Sequence, residues 1–145
     1  MNHNKQEAGQ EGFTLIEIMV VVVIIAVVAA IVAPNVFQRV DVAKANAAKG
    51  QIAAFSTALG NFRLDTGDFP SGAQGLQSLQ RDPGVVGWNG PYLMGDVPKD
   101  PWGREYVYNY PSNNADSYEI ICYGKDGQPG GDGVNKDIVS WKLNE

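Results

Sequence analysis

The chain has 145 residues and a formal net charge of −5, room for one modest domain plus an appended segment but not for two full cores. Its lysines and arginines are scattered, with no basic stripe to suit a nucleic-acid partner. A lone cysteine, Cys122, excludes an intramolecular disulfide, and the lone histidine, His3 in the polar N-terminal tail, argues against a histidine-based triad or a histidine-ligated zinc site.

The first element in chain order is apolar. From Phe13 to Ala33 only Thr14 and Glu17 are polar, and at ~1.5 Å per helical residue this run spans roughly the ~30 Å hydrocarbon core of a bilayer. A cleaved secretory signal would have a shorter apolar region of ~7–15 residues and an A-x-A-like site, which "AIVAPN" matches poorly. A retained membrane helix is therefore expected. Lys5 precedes the run with Glu7 and Glu11, while Arg39, Lys44 and Lys49 follow it. Counted by lysine and arginine, the long C-terminal part would lie inside the cell.

Glu17 needs a separate explanation. A carboxylate at a bilayer centre costs ~2.5–3.5 kcal/mol on insertion scales, and less near an edge. Glu17 either reaches headgroups and water or has a cationic partner, and no basic residue lies within helical reach inside the span. A neighbouring chain could supply that partner, as could an amino terminus created by cutting between Gly12 and Phe13. The residues alone leave these readings open.

"GFTLIEIMVVVVIIAVVAAIVAPN" resembles the class III signal of type IV pilins and type II secretion pseudopilins: a glycine, an N-methylated phenylalanine and a glutamate at the fifth mature position. Gly12, Phe13 and Glu17 match these. The resemblance implies cleavage after Gly12 by a prepilin peptidase on the cytoplasmic face, methylation of the Phe13 amine and a periplasmic C-terminal part. It reverses the orientation that the charge count suggests. The leader departs from the family by carrying one lysine and two glutamates, where family leaders are usually basic.

Beyond Pro34, Val36, Val40, Ala43, Ala47, Ile52, Phe55, Leu59 and Phe62 trace an apolar stripe, so an amphipathic helix is expected to about Leu64. Pro34 is expected to kink or open it locally. Packing on the chain's own sheet suits Ile52 to Phe62, whereas Val36 to Ala48 suits contact with other subunits. Residues 65–104 are rich in Gly, Pro, Asp and Trp, with a short helical candidate at Gln74–Gln80; so long an irregular stretch is usually functional. Alternating Tyr106, Tyr108 and Tyr110, then "SYEIICY" (117–123) and "DIVSWKL" (137–143), read as strands of a small antiparallel sheet.

The loop "YGKDGQPGGDGVNKDI" gathers Asp126, Asp132, Asn135 and Asp137 among glycines. Oxygen ligands on a flexible loop suit Ca²⁺, which takes ~6–8 of them. Asp126, Gly131 and Asp137 fall on EF-hand positions, but Gln128 and Gly130 do not fit theirs, and a strand follows instead of a helix. The competing reading is a glycine-rich turn whose Asp and Asn side chains cap their own backbone. Turn capping is also the expected role of Asp65 and Asp68, and solvation that of Arg39, Lys44 and Lys49, with Asp41–Lys44 a weak i,i+3 pair.

"DTGDFPSGAQGLQSL", "NGPYLMGDVPKDPWGREYVY" and this loop, in that order, resemble the major pseudopilins of type II secretion. The resemblance implies a pilin-like α+β fold: a long N-terminal helix, membrane-spanning in its first half and kinked near Pro34, packed on a small antiparallel sheet. It divides the chain into a cleaved leader (1–12), a transmembrane and assembly helix (13–33), an amphipathic helical stem (34–64) and a periplasmic globular region (65–145) with a calcium loop (123–137). Asp126 would ligate through its side chain and Tyr123 and Gln128 through their carbonyls, with Asp132 and Asp137 completing the carboxylates. The implied function is structural: an inner-membrane subunit that polymerises with itself into a periplasmic filament of protein export, pairing Glu17 with a neighbour's Phe13 amine. The implied partners are minor pseudopilins, the prepilin peptidase and the inner-membrane assembly platform. A type IV pilin of a surface fibre is the alternative within the class, against which stand the missing disulfide and "PKDPWG". A signal-anchored periplasmic Ca²⁺-dependent enzyme is the alternative outside it.

Overall fold

The computed structural model describes residues 12–113 and 117–143, so the expected leader lies outside the described residues except for Gly12. One helix, α1 (Leu15–Thr66), passes through Pro34 without a break in its helical assignment. Two compact units divide between Gln38 and Arg39.

In the first unit α1 is built from Val and Ile, which are poor helix formers in water. A helix is nevertheless the one segment that satisfies every backbone group internally where water is absent. All its large apolar side chains are exposed, from Leu15 through Phe37, and its length and composition suffice to cross a membrane.

In the second unit α1 buries Ala48, Ile52, Phe55, Leu59 and Phe62. Their alternating spacing of four and three keeps them on one face. Ala43 and Ala47 are exposed, as are Val36 and Val40. The apolar stripe expected from the sequence therefore packs within the fold only from Ile52, with Ala48 and not Ala47 continuing it backwards. The helix ends at Gly67, whose φ of +92° is left-handed and whose amide donates to the Arg63 carbonyl at 2.8 Å.

Three short antiparallel strands, β1 (Val107–Asn109), β2 (Glu119–Cys122) and β3 (Ile138–Val139), form a sheet in that order. Val107 faces Ile121, and Cys122 faces Ile138. Ile120, Cys122 and Ile138 join α1's buried face in the core, with Tyr106 edge-on to Phe55 at 5.1 Å between ring centroids. The strand expected over 137–143 is shorter than the sequence suggests. The Ile120 amide donates to the Ser140 hydroxyl at 3.1 Å, so a side chain takes over from the ladder and a 3-10 turn (Ser140–Lys142) follows.

Residues 67–104 contain one regular element, a 3-10 turn at Leu76–Leu79, where the sequence suggests a short helix. The rest is pinned by specific contacts. Trp88 donates from its indole to the Ser78 carbonyl at 3.0 Å, Tyr92 donates its backbone amide to the Leu79 carbonyl at 2.7 Å, and its ring meets Phe62 edge-on.

Candidate functional site

The first site is the start of α1. The Thr14 amide and hydroxyl donate to Glu17 Oε2 at 2.7 and 2.9 Å, and the Glu17 amide donates back to the Thr14 hydroxyl at 3.3 Å. This is a reciprocal capping box, in which two helix-end donors find side-chain acceptors. It gives Glu17 a local partner that neither earlier reading included, and the T-x-x-E spacing of "TLIE" was its signal. Phe13, beside the expected cut, is exposed.

The second site is the loop that leaves β2 at Tyr123 and returns into β3 at Asp137. Its backbone closes on itself: the Lys125 amide donates to the Val134 carbonyl at 2.9 Å, Gly127 to Tyr123 at 3.0 Å, and Asp137 to Gly130 at 3.2 Å. The carboxylates play different parts. Asp126 Oδ1 accepts from the Gln128 amide at 3.1 Å, and Asp137 Oδ2 from the Gly130 amide at 2.9 Å. Asp132 is exposed and precedes a 3-10 turn at Gly133–Asn135 without capping it through its side chain.

The structure does not gather the three expected carboxylates. Among the described residues, no group of three or more His, Cys, Asp or Glu side chains is disposed to hold a metal. A cation here would draw heavily on carbonyl oxygens, as Ca²⁺ commonly does. One observation fits such an ion: Asp137 Oδ1 is buried with no hydrogen-bond partner. A buried carboxylate oxygen left bare is costly, and a cation would satisfy it.

Two cationic side chains, one from within the loop and one from outside it, tie the loop to the rest of its unit. Lys125 Nζ lies 2.7 Å from Asp41 on α1, which corrects the Asp41–Lys44 pair suggested by helical spacing. Arg104, in the turn before β1, donates from Nη2 to the Gly124 carbonyl and from Nη1 to the Lys125 carbonyl, the latter at 3.3 Å. Arg104 also faces Asp100, which is buried and accepts the Trp102 and Arg104 amides, each at 2.9 Å. Sequence reasoning missed Arg104, because nothing local in "DPWGR" ties it to residues twenty positions on.

Asp65 and Asp68 are braces. Asp65 accepts from the Tyr92 hydroxyl at 2.9 Å, and Asp68 accepts from the Tyr110 hydroxyl and from the Phe69 amide at 2.8 Å. The Tyr110 hydroxyl, aided by the Phe69 amide, holds the Asp68 carboxyl below the usual carboxylate range.

Comparison with known proteins is specific. The family model for type II secretion system protein G matches residues 35–141, and that for the prokaryotic N-terminal methylation motif matches residues 8–33. The type II secretion system core protein G of Pseudomonas aeruginosa is 41% identical over 140 residues, covering 94% of this chain and 98% of that protein. The core protein G of Xanthomonas campestris is 38% identical, covering 95% and 94%. The crystal structure of the major pseudopilin from the type 2 secretion system of enterohaemorrhagic Escherichia coli superposes with a TM-score of 0.60 at 28% identity. It covers 74% of this chain and 95% of its own.

Proposed function

This chain belongs to the type II secretion system protein G family and is a structural pseudopilin subunit, and from that premise we propose how it is processed, anchored and assembled. A prepilin peptidase cuts between Gly12 and Phe13, and the new Phe13 amine is methylated. The apolar half of α1 then holds the subunit in the inner membrane with residues 39–145 in the periplasm. Subunits leave the bilayer by bundling these helices into a filament that helps drive folded proteins across the outer membrane, working with minor pseudopilins and an inner-membrane assembly platform.

The observation that supports this reading is the apolar half of α1, whose large apolar side chains are all exposed and whose one carboxylate lies at its first turn. On its own chain that carboxylate is a cap. In assembly it would meet the Phe13 amine of a neighbour, since an amine of ordinary pKa ~8 and a carboxylate of ~4.3 are both charged at neutral pH. Burying either alone is costly.

Calcium belongs to the same proposal. When bound it would supply a fixed positive charge that draws oxygen donors together. Asp126 and Asp137 would contribute carboxylates, Asp132 a third, and Tyr123 and Gln128 their carbonyls. The chain's own part is to present those oxygens on a glycine-rich loop whose folding is coupled to metal binding.

The deciding experiment replaces Glu17 in cells competent for processing. Glu17→Ala should be cleaved and N-methylated at Phe13, as read by mass spectrometry of membrane-extracted protein, yet give no filaments. Normal filaments from that variant, or a wild-type chain still starting at Met1, would overturn the assembly reading.

A further inference from the structure

We propose that Arg104 is the positioning residue of the cation site in the 123–137 loop; this rests on the calcium reading above. The guanidinium takes the carbonyls of Gly124 and Lys125, the two residues between Tyr123 and Asp126. Those carbonyls face Arg104, and the neighbouring oxygens of Tyr123, Asp126 and Gln128 are the ones a metal would meet. The Tyr123 carbonyl also accepts the Gly127 amide and Asp126 Oδ1 the Gln128 amide, which leaves each a second lone pair for an ion. The turn lies directly on the guanidinium: a Cβ on Gly127, at φ +71°, would come within 2.9 Å of Arg104 Cζ. Glycine is required there by both the backbone conformation and the close approach.

A guanidinium near a divalent cation is repulsive unless its charge is offset. Asp100 supplies the offset, 5% exposed and with Oδ2 3.6 Å from Arg104 Nε. Its other oxygen is held by two backbone amides, so the pair acts as a fixed donor fork. Lysine could not replace it fully, because one ammonium lacks the planar geometry that holds two carbonyls in register. Without Arg104 every ligand remains, but the turn must be ordered when the ion arrives, and that cost falls on affinity.

The test uses the full-length chain in detergent micelles, titrated with CaCl₂ from a chelated start, with half-saturation read from the rise in melting temperature. Arg104→Gln is expected to weaken half-saturation about 10–100-fold, as loss of a residue orienting metal ligands typically does, and Arg104→Lys to fall between it and wild type. Unchanged half-saturation in Arg104→Gln while wild type responds would overturn the positioning role and leave the calcium reading standing, even if the metal-free melting temperature fell. No calcium response in wild type would overturn the calcium reading, and this role with it. Should Arg104→Gln not fold, Arg104→Lys decides alone: wild-type half-saturation in that variant overturns the proposal.

Discussion

The two stretches of α1 on either side of Gln38 are made of much the same side chains and meet opposite fates. Ile24 is 57% exposed, and Ile52, twenty-eight residues on, is at 0%. The second stretch spaces its apolar residues four and three apart and gives the opposite, exposed face to Asn46, Gly50, Ala53, Thr57 and Asn61. The first is apolar all round, so no single sheet could cover it. Periodicity thus marks the part of a helix that its own chain will cover, and loss of periodicity marks the part that needs lipid or other chains. Beyond Val42, among the described residues, the large apolar side chains left exposed are Leu64, Val86, Met94 and Trp141.

The sharpest way to break this contrast is the same truncation on both sides. Ile52→Ala should destabilise the 39–145 unit by ~2–5 kcal/mol, as removal of buried methylenes generally does. Ile24→Ala should leave that unit's melting temperature unchanged, because it removes no contact within it and exposed substitutions stay within about 0.5 kcal/mol. Thermal denaturation of both full-length variants in micelles reads the difference. Equal losses would mean that the apolar half contributes to the fold of its own subunit.

The features legible in the sequence were those carried by local spacing. The buried set Ile52, Phe55, Leu59 and Phe62 follows from the 3.6 period, the membrane-length run from its unbroken apolar length, and the β2 strand from its β-branched and aromatic content. The loop after β2 was legible as a glycine-rich Asp and Asn cluster, but the role of each carboxylate was not. The capping box at Thr14 is local too, encoded in the T-x-x-E spacing of residues 14–17, although the same Glu17 also reads as a costly charge in lipid. Asp41 finds Lys125 across 84 residues and Arg104 finds Gly124 across 20. Such pairings depend on how the sheet docks on the helix, which no local pattern encodes. The shortness of β3 has the same origin, since the Ser140 hydroxyl replaces a ladder partner only once β2 lies beside it.

A smaller effect is expected at the loop, which the comparison predicts to be ordered by something other than apolar burial. Calcium at about 100 times its dissociation constant would add ~2.7 kcal/mol to a site present only in the folded chain. Chelation should therefore lower the melting temperature of wild type, and Asp126→Ala should melt at the chelated value with or without the metal. The same chelation shift in Asp126→Ala as in wild type would remove Asp126 from the ligand set.

The smallest effect concerns the one titratable thiol of the packed region. Cys122 is 1% exposed, with its sulfur 3.5 Å from Asp100 Oδ2. Burial, reinforced by the Asp100 charge and opposed by the Gly124 amide and Arg104, pushes its pKa from 9.0 up to about 11. The folded state thus holds the proton more tightly than the unfolded state. The resulting stability is fully present below pH ~9 and is lost as pH rises through about 11. Tyr106 and Tyr108 are shifted upward by burial as well, so they steepen the same alkaline limb in every variant. Cys122→Ala should consequently lose melting temperature less steeply than wild type between pH 8.5 and 10.5, while still declining through its tyrosines. Parallel curves would show that the thiolate is as well accommodated in the fold as in the open chain, and the packed half of α1 would then be covered less tightly at Cys122 than its exposure implies.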